Sequence, residues 1–469
     1  MSSRITPTGV IRYQPEKSWA GLTVIPALIG MSYAKGAVLI DMNGNIVNTW
    51  EGLYGVFDNK MLPNGRILGC TRFSPGYWLD GMNLTQMDWD GRTEWSFDRG
   101  EELKNPQTGQ TFWSARAHHD FQREGSPCGY FSPEQEPLTR GRTLINSATT
   151  KRIEDLCPHP IIDTRLIEID REGRIVWSWE LMDHWDEFGV EEIARAVFHR
   201  YFNKFEESDY VKDIYCNNVN HLGPNRWYEA GDDRFHPENI ITDIRILNTS
   251  FIIDGKSGHI VWRMGPDFTY SKNLQAIGQI VGQHHVHMIP KGLPGEGNIL
   301  LFDNGGQAGL GSPTPCGPTG YCNCTRGYSR VLEINPVTME KVWAFNDLDL
   351  DYNGKIEARA FDNKLFSEYC SSADRLPNGN TLITETIPGR VIEVTPQKEI
   401  VWEYINPGGA LFRAHRYPYE WFPQVETPKE TWVSPPENRN IRITPEGGVE
   451  WVEAHPIYGD VMLPHIPTE

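Results

Sequence analysis

The sequence has little positive charge and no long apolar run, and both shortages exclude classes of protein. Its 44 Lys and Arg residues are outnumbered by 62 Asp and Glu residues, which gives a formal net charge of −18. Nucleic acids and anionic membrane surfaces select for basic proteins, so neither is expected as a partner. No stretch of about 18 apolar residues occurs, so no membrane-spanning helix is predicted.

The amino-terminal segment shows no targeting signal, and the cysteines show no disulfide-framework or zinc-site pattern. The start of the chain, MSSRITPTGVIRYQPEKSW, has neither an apolar core nor a small-residue cleavage site. We therefore expect a cytoplasmic protein, or a periplasmic or secreted one if a leader has been removed. Eight cysteines in 469 residues do not form a disulfide framework. The cluster Cys316, Cys322 and Cys324 has no second paired motif at zinc-site spacing, which favours a local disulfide or free thiols.

What the sequence does contain is a repeat. Six times, a β-rich run is followed by a turn with Asp, Asn, Gly or Pro and by a second run that ends in Trp. Alternating apolar residues around such a turn predict a β-hairpin, and the Trp is expected to pack between neighbouring sheets. The copies are 39-LIDMNGNIVNTW-50, 86-QMDWDGRTEW-95, 167-IEIDREGRIVW-177, 252-IIDGKSGHIVW-262, 332-LEINPVTMEKVW-343 and 393-EVTPQKEIVW-402.

A second hairpin pattern precedes several of these copies. It reads 61-MLPNGRIL-68, 375-RLPNGNTLI-383 and, more loosely, 289-IPKGLPGEGNILLF-302. Two hairpins make one four-stranded sheet, and six such sheets predict an all-β fold, a six-bladed β-propeller whose terminal strands close the ring. His415 and Arg416, near the last of these strands, are interpreted as residues of that closure.

Insertions and an extension complete the predicted organisation. The Trp spacing is uneven, so the blades carry long insertions, one of them helical at residues 181–205. Residues 1–425 are assigned to the catalytic propeller. Residues 426–469, with the hairpin 441–453, are assigned to a C-terminal extension that packs on it. The segment 349-DLDYNG-354 resembles the start of a calcium loop, but Ala360 replaces the required Glu, so a solvated turn is expected.

Histidines are scarce but clustered. Only 14 occur, yet His284, His285 and His287 lie within 281-VGQHHVHMIP-290. The first strand of each propeller blade lines the central channel, so residues at its start lie near the channel. A polar site is therefore predicted there, with a simple water-filled axis as the alternative. The other blades contribute Asp58, Asn59, His118, His119, Asn217, Asn218, Ser371 and Ser372.

Five segments carry a family resemblance. They are 117-AHHDFQREGSPCGY-130, 222-LGPNRWYEAGDDRFHPENIITDIR-245, 281-VGQHHVHMIPKGLPGEGNILLFDNGG-306, 372-SADRLPNGNTLITET-386 and 412-FRAHRYPYEW-421. Together they resemble the aryl-sulfate sulfotransferase family over nearly the whole chain. Members of that family are six-bladed propellers, which agrees with the repeat count.

The resemblance implies a reaction and a set of residues. The reaction is transfer of a sulfuryl group from a phenolic sulfate ester to another phenol, without a cofactor. The resemblance implies that His284 is the nucleophile and forms a sulfohistidine, that His119 or His118 contacts the sulfuryl oxygens, and that Arg245 binds sulfate. The residues predicted to bind substrate are His118, Tyr215, Asn217, His285, His287 and Ser371. The expected partners are an aromatic sulfate donor and a phenol acceptor, and a homodimer is left open.

The sequence departs from the family pattern at two places. Tyr215 aligns with a third family histidine and Asn217 with the asparagine that follows it. The residues before Arg245 are usually small, but here they are Asp243 and Ile244. An extra carboxylate near a sulfate group is unfavourable because like charges repel. Both changes fall where the sulfuryl group is expected, so the sequence leaves the exact reaction open.

The chemistry needs a neutral imidazole and cationic groups around an anion. An unperturbed imidazole has a pKa of roughly 6.5, and nearby positive charge from Arg245 or Lys291 would keep it unprotonated. Cationic donors would stabilise the loose transition state of sulfuryl transfer. His285, His287 or Tyr215 would assist removal of the acceptor proton.

Two other functions fit the same sequence. In the first, the imidazoles of His118, His119, His284, His285 and His287 bind zinc, copper or iron for hydrolysis or redox chemistry on an aromatic substrate. In the second, the propeller is a non-catalytic scaffold. A scaffold gives no reason for two histidine clusters at matched channel positions.

Overall fold

Short antiparallel strands make up most of the chain. The computed structural model describes residues 8–26, 35–54, 57–74, 80–105, 108–126, 128–153, 157–202, 214–306, 308–311, 319–320, 326–346, 365–435, 441–443 and 449–451. Within these ranges the strands are, in chain order, β1 (Gly9–Tyr13), β2 (Leu22–Pro26), β3 (Lys35–Ile40), β4 (Ile46–Tyr54), β5 (Lys60–Leu62), β6 (Arg66–Gly69), β7 (Leu84–Met87), β8 (Thr93–Phe97), β9 (Glu101–Lys104), β10 (Thr111–Ser114), β11 (Ala117–Arg123), β12 (Thr143–Ile153), β13 (Cys157–Ile169), β14 (Ile175–Glu180), β15 (Cys216–His221), β16 (Ile240–Ile244), β17 (Thr249–Ile253), β18 (Ile260–Met264), β19 (His284–Met288), β20 (Ile299–Asp303), β21 (Arg330–Ile334), β22 (Lys341–Phe345), β23 (Ser372–Arg375), β24 (Thr381–Glu385), β25 (Arg390–Val394), β26 (Ile400–Ile405), β27 (His415–Tyr417), β28 (Ile441–Ile443) and β29 (Val449–Trp451). The helices are α1 (Glu192–Phe202), α2 (Arg226–Glu229) and α3 (Lys272–Ile277), with 3-10 helices at Leu181–Phe188, Asp233–Phe235, Arg245–Leu247 and Tyr419–Trp421.

The strands form six blades, so the predicted six-bladed β-propeller is confirmed. Blade one is β5–β8, blade two β11–β14, blade three β15–β18, blade four β19–β22 and blade five β23–β26. Blade six combines β27 with β2, β3 and β4. Since β27 comes from the last part of the propeller and β2 from its beginning, their pairing closes the ring, as the sequence predicts.

Buried charge reinforces this closure. The Arg416 side chain is fully buried and its guanidinium pairs with Glu393 of blade five. It also donates to the Thr23 hydroxyl (3.0 Å) on β2 and lies over the Trp402 ring. One feature of the closure is absent from the sequence prediction: β1 adds a fifth strand to blade five beside β26.

The repeated Trp residues are predicted to pack against the neighbouring sheet, and four of them do so. Four indole N–H groups donate to a backbone oxygen in a turn of the next blade: Trp50 to Asp88 (2.9 Å), Trp262 to Pro336 (2.8 Å), Trp343 to Pro396 (2.9 Å) and Trp402 to Met42 (2.9 Å). In blade two the contact is made by Trp179, which donates to Gly258 O (2.9 Å), and not by the predicted Trp177. Trp179 lies two residues further along β14 and is the more deeply buried of the two.

The core lies between blades. The buried apolar side chains of the described residues fall into six clusters, and each cluster joins the facing sides of two neighbouring blades. For example, Ile241 and Ile252 of blade three pack with Val286 and Ile299 of blade four. Burial of each such side chain is worth about 1.5–3 kcal/mol, so the contacts between blades hold the channel walls in place.

The predicted helix at 181–205 is two helices, which corrects the sequence interpretation. A 3-10 helix ends at Phe188, and α1 starts at Glu192. Gly189 separates them because it adopts a left-handed conformation (φ 62°) that continues neither helix. Residues 203–205 lie outside the described ranges. Among the described helices, none is long and apolar enough to cross a membrane.

The C-terminal part of the chain is described in pieces. Val433 pairs with Tyr13 through two backbone hydrogen bonds of 3.0 Å each, so this part of the predicted extension contacts β1. The predicted late hairpin corresponds to β28 and β29. The division into residues 1–425 and 426–469 stays a prediction. The calcium-like segment 349–354 and Cys316, Cys322 and Cys324 lie outside the described residues.

Candidate active site in the channel

The innermost strands of the six blades are β5, β11, β15, β19, β23 and β27. Polar side chains at or near their starts contact one another across the channel. The site has two layers: an outer group around His284 and His119, and a buried charge network beneath it around Asp58 and Arg413. The outer group contains most of the residues that the sequence analysis selects.

His284 is the first residue of β19 and is almost fully buried. Its Nδ1 lies 2.8 Å from the side-chain oxygen of Asn304 and 3.0 Å from the backbone oxygen of Gly282. Both neighbours are acceptors, so Nδ1 carries the hydrogen. Nε2 then carries the lone pair, and it accepts the Cys370 backbone N–H at 3.2 Å. This tautomer leaves Nε2 as the nucleophilic atom of the ring.

The backbone that faces Nε2 is strained. Cys370 and Ser371, which precede β23, both have positive φ values, 56° and 80°. Two successive residues in this conformation are uncommon outside glycine, and such strain concentrates at functional sites. Its consequence here is that the Cys370 N–H points at His284 Nε2. The same N–H can donate to an anionic group bound at that position.

His119 lies beside His284, with 6.4 Å between ring centres, and it is partly exposed. Its Nδ1 is 3.1 Å from Nδ1 of His118. His118 is buried, and its Nε2 is 3.1 Å from the backbone oxygen of Ser147. His118 therefore donates through Nε2 and accepts from His119 through Nδ1. In this arrangement His119 Nε2 carries a lone pair.

Bulges in the inner strands produce these contacts. The ladders of β11, β15 and β19 each shift register near the channel, at Ala117–Phe121, Cys216–Val219 and His284–His287. His119 (φ 56°) and His285 (φ 53°) occupy left-handed positions within two of these bulges. A bulge breaks the alternation of side chains between strand faces. Strict alternation would place the side chains of His118 and His119 on opposite faces of the strand. Because of the bulge, the two side chains contact each other instead.

Aromatic rings border the two histidines. The ring of Tyr215 lies 4.6 Å from that of His118 and 6.2 Å from that of His119, measured between centres. The Phe412 ring lies 6.1 Å from His119. Tyr215 therefore does occupy a position at the predicted site, where the family pattern has a histidine. Flat apolar walls of this kind suit an aromatic ligand.

Arg245 supplies positive charge to the outer group. It begins the short 3-10 helix after β16, and its guanidinium lies over the Tyr369 ring at 4.7 Å. A side chain at position 282 would meet the Arg245 Nε at 3.7 Å and the Ala308 Cβ at 2.9 Å. Gly282 also has a φ of 64°, so glycine is required both for its conformation and for this approach.

The histidines of the outer group are neutral. Burial, followed by the Arg245 charge and the neighbouring His119, holds the pKa of His284 well below its usual range. Burial, followed by Arg413 and Arg245, lowers the pKa of His119 to about 3. Burial and its His119 neighbour likewise lower the pKa of His118. The imidazoles therefore keep their lone pairs at neutral pH, which a nucleophile requires.

Beneath this group lies a network of buried charges. Arg413 is fully buried. Its guanidinium nitrogen Nη1 lies 3.3 Å from a carboxylate oxygen of Asp58 and 3.5 Å from one of Asp120. Lys60 pairs with both of these carboxylates. His415 bridges Asp58 (2.9 Å) and Asp374 (2.7 Å). Although burial opposes it, these two carboxylates raise the pKa of His415 to about 9, so it is a cation at neutral pH.

Asp243 does not place a negative charge at the site, contrary to the repulsion expected from the sequence. Burial raises the pKa of Asp243 to about 8, even though the Asn217 hydrogen bond and Arg413 act in the opposite direction. The Asn217 side chain donates to Asp243 Oδ2 at 3.4 Å, and the Asn217 backbone oxygen accepts from Arg413 at 2.8 Å. A largely protonated Asp243 avoids the like-charge repulsion with a sulfate ester.

Several predicted site residues have other partners. His287 is fully buried, with Nδ1 2.9 Å from the His285 backbone oxygen and Nε2 2.9 Å from the Tyr130 hydroxyl. His285 lies deeper than His284, with Nδ1 3.4 Å from the Ala373 amide nitrogen. The Ser371 hydroxyl accepts the Thr386 N–H at 3.1 Å. Their substrate-binding roles stay predictions.

Lys291 does not lie in the outer group. Its ammonium contacts the Glu229 carboxylate at 2.6 Å and is partly exposed. The positive charge expected to keep the His284 imidazole unprotonated therefore comes from Arg245 and, in the layer beneath, from Arg413, and not from Lys291.

The metal-binding alternative finds no support in the channel. Both ring nitrogens of His118 and both of His287 are hydrogen-bonded within the protein. Among the described residues, the five imidazoles of that alternative do not bring three ligand atoms within 4.8 Å of one another.

Asn304 and Arg413 are functional candidates that sequence reasoning missed. Both lie in segments that carry the family resemblance, Asn304 in 302-FDNGG-306 and Arg413 in 412-FRAHRY-417. Nothing in the hydrophobic pattern separates either residue from an ordinary turn or closure residue. Their roles depend on contacts between blades, which only the folded channel creates.

A protein-family model described as Arylsulfotransferase (ASST) matches residues 60–407, most of the chain. The comparison with curated proteins gave no match.

Solved structures similar to the chain include three at low identity. A protein of unknown function from Bacteroides caccae shares 10% identity and a TM-score of 0.43, covering 84% of this chain and 98% of its own. Apo AztD from Citrobacter koseri shares 8% identity and a TM-score of 0.35, covering 85% and 98%. Virginiamycin B lyase from Staphylococcus aureus shares 10% identity and a TM-score of 0.33, covering 86% of each chain. At these values the likenesses carry no inference about activity.

Proposed function

Because the chain belongs to the arylsulfotransferase family, with a sulfotransferase-like function, we propose that it moves a sulfuryl group from an aryl sulfate ester to a phenolic acceptor through a sulfohistidine on His284. The observation that carries the proposal is the state of the His284 ring. It is buried, neutral and oriented by its Nδ1–H, so that Nε2 carries the lone pair and accepts from the Cys370 backbone N–H.

In the first half-reaction, the Nε2 lone pair attacks the sulfur of the donor. The N–S bond forms as the bond between sulfur and the aryl oxygen breaks, and the phenolate leaves with that electron pair. Asn304 and the Gly282 oxygen keep the hydrogen on Nδ1 and stabilise the positive charge that develops on the ring. Substrate must displace the Cys370 N–H from Nε2, and that N–H then donates to a sulfuryl oxygen.

Positive charge binds the sulfuryl oxygens. Arg245 contributes a guanidinium beside His284 and His119, and Arg413 adds its field from below. Sulfuryl transfer is an anionic, loose displacement, so most of its catalysis comes from such positioning and charge. Tyr215, Tyr369 and Phe412 offer flat surfaces for the aryl groups of donor and acceptor.

In the second half-reaction, the acceptor phenol attacks sulfur and the Nε2–S bond breaks, which restores the neutral ring. The acceptor proton passes to His119 Nε2, whose Nδ1–H is engaged with His118; the anionic sulfuryl group bound beside it offsets the charges of Arg413 and Arg245 and raises the pKa of His119 above its value in the empty site. The proton then passes to solvent or to the departed phenolate. This assigns His119 as a base, a role different from the oxygen contact that the family resemblance implies.

Steady-state kinetics with 4-nitrophenyl sulfate as donor and phenol as acceptor test the proposal. His284→Ala is expected to abolish transfer because the covalent acceptor is lost. Arg245→Ala is expected to lower kcat by roughly 10²–10³-fold, about 2.7–4 kcal/mol, by analogy with loss of one oxyanion donor.

The control is His236→Ala, a partly exposed histidine outside the channel, which should keep normal turnover. Near-normal turnover by a folded His284→Ala protein would contradict the covalent role. Absence of transfer by the unmodified protein with a panel of aryl sulfates would contradict the reaction itself.

A further inference from the structure

Two histidines and a glutamate converge at the outer surface, away from the channel. His184 and Glu187 lie on the 3-10 helix Leu181–Phe188 that follows blade two, and His259 lies in the turn between β17 and β18 of blade three. Nδ1 of His184 is 2.7 Å from Glu187 Oε1, and Nδ1 of His259 is 3.1 Å from the same oxygen. Among the described residues this is the one group of three such side chains whose ligand atoms lie within 4.8 Å.

The three side chains are held by neighbours of their own. The His184 ring stacks on Trp179, with 4.9 Å between centres and 17° between planes. Trp179 in turn donates to the backbone oxygen of Gly258, next to His259. The other oxygen of Glu187 accepts the Ile260 N–H at 2.8 Å. His184 and Glu187 are therefore held by residues outside the cluster, and His259 is oriented by its contact with Glu187.

The backbone conformation of the turn favours glycine. Gly258 has a φ of 78°, and a Cβ there would lie 3.6 Å from the His184 ring. Glycine is favoured by this conformation, and the turn lies within ordinary contact distance of the His184 ring. The His259 side chain is 71% exposed, so one side of the cluster is open to solvent. An ion bound there would keep an open position for water.

We propose that His184, Glu187 and His259 form a binding site for a zinc-type divalent cation. Two imidazoles and one carboxylate are a ligand set that zinc accepts, and imidazole also suits copper and nickel. Ligands of a tetrahedral zinc ion lie about 3.4 Å apart, given metal–ligand distances of about 2.1 Å. The two nitrogens are already 2.7 and 3.1 Å from the carboxylate oxygen, so only small shifts are needed.

Binding would have a structural effect that is independent of sulfuryl transfer. The ion would bind each Nδ1 through its lone pair, with the hydrogens moved to Nε2. Since two ligands come from the insertion after blade two and one from blade three, the ion would fasten the insertion to the next blade. A cation that binds only the folded state raises the stability of that state.

Calorimetric titration with Zn²⁺ tests the site, using full-length protein treated with a chelator and then freed of it. One equivalent is expected to bind saturably to the unmodified protein. His259→Ala should weaken binding at least about tenfold, since loss of even an outer partner of a metal ligand costs 10–100-fold. Zn²⁺ should also raise the Tm of the unmodified protein and raise that of His259→Ala much less.

Two further variants complete the design. His236→Ala, in which a histidine outside the cluster is removed, should bind Zn²⁺ normally. Glu187→Gln keeps oxygen and shape but loses the charge, and should bind more weakly than the unmodified protein. Because His259 is exposed in a turn, its variant is expected to fold. Absence of saturable binding, or equal affinity in the unmodified, His259→Ala and Glu187→Gln proteins, overturns the proposal.

Discussion

The tautomer of His284 depends on Asn304. The Asn304 side-chain oxygen accepts from Nδ1 at 2.8 Å, while its amide nitrogen donates to the backbone oxygens of Ser367 (2.8 Å) and Cys370 (2.9 Å). One side chain thus orients both the nucleophile and the loop whose N–H faces Nε2. Asn304 acts through His284 and is a positioning residue.

Asn304→Ala should therefore lower kcat more than it changes KM. The expected loss is about 10- to 100-fold, roughly the cost of 1–3 kcal/mol for leaving a buried polar group without its partner. Asn304→Asp keeps an oxygen opposite Nδ1 and should retain more activity. Its charge should also move the acid limb of the kcat profile to higher pH, because a carboxylate stabilises the imidazolium.

The matched control for this prediction is Asn346→Ala. Asn346 donates to the backbone oxygens of Ser329 (2.6 Å) and Leu365 (3.2 Å), so it anchors the start of the same segment without touching His284. Loss of kcat in both variants to the same extent would mean that loop packing, and not the imidazole tautomer, is responsible.

At the scale of strands and hairpins, closure of the ring depends on a buried ion pair. Arg416 on β27 and Glu393 on β25 are both fully buried. Arg416→Ala leaves the Glu393 carboxylate without its cation and is expected to lower the free energy of unfolding by about 3–5 kcal/mol. Urea unfolding of the purified variant measures this change.

An exposed pair provides the comparison. Arg174 contacts Asp170 at 2.7 Å, but its side chain is 75% exposed. Arg174→Ala should change the free energy of unfolding far less than Arg416→Ala does, as is typical of surface ion pairs. Equal effects of the two substitutions would show that Arg416 does not stabilise the closure.

The sequence predicts elements of this kind better than it predicts their irregularities. The hairpins were predictable because turn residues such as 63-PNG-65 and 90-DG-91 separate alternating apolar runs. The bulge at His119 was not, because one extra residue leaves the apolar pattern almost unchanged. The break at Gly189 was missed for a similar reason, since the apolar spacing continues across it.

Features of the candidate site that leave no local pattern in the sequence were likewise missed. His284, His119, Tyr215 and Arg245 were selected through the family resemblance, and the structure brings them to one end of the channel. Arg413 was missed because its importance comes from carboxylates that lie hundreds of residues earlier, Asp58 and Asp120. Contacts across a ring leave no local pattern in the sequence.

At the scale of the whole molecule, buried titratable groups predict how stability depends on pH. His119 and His287 have pKa values of about 3 because burial disfavours their charged forms. The unfolded chain binds these protons near pH 6.5, so stability should fall as pH drops below that value. His415 acts oppositely, because its pKa is raised to about 9. Its contribution is fully present below about pH 6.5 and is lost as pH rises through 9.

Stability should therefore be greatest near pH 6.5 and decline on both sides. Asp243 contributes stability that is lost as pH rises from its ordinary pKa of 3.8 to its folded pKa of about 8, so it adds to the decline above pH 6.5 and partly offsets the fall below it. The contribution of His415 to that decline is roughly 3 kcal/mol, at about 1.4 kcal/mol for each pH unit over which only the folded state holds the proton.

Calorimetric Tm values from pH 4 to 9.5 measure this profile. His415→Gln keeps polar contacts with Asp58 and Asp374 but cannot be charged, so it should be less stable than the unmodified protein below pH 6.5. Its alkaline decline should be shallower. A variant profile parallel to that of the unmodified protein between pH 6.5 and 9 would show that His415 is not a buried cation.

Mass spectrometry tests directly whether a covalent sulfohistidine forms on His284. The protein is incubated with 4-nitrophenyl sulfate in the absence of acceptor, quenched at alkaline pH and digested. We expect one added SO3 group on the peptide that contains residues 281–290, located on His284, present in His236→Ala and absent from His284→Ala. Transfer activity without such an adduct, or with the adduct on another residue, would contradict it.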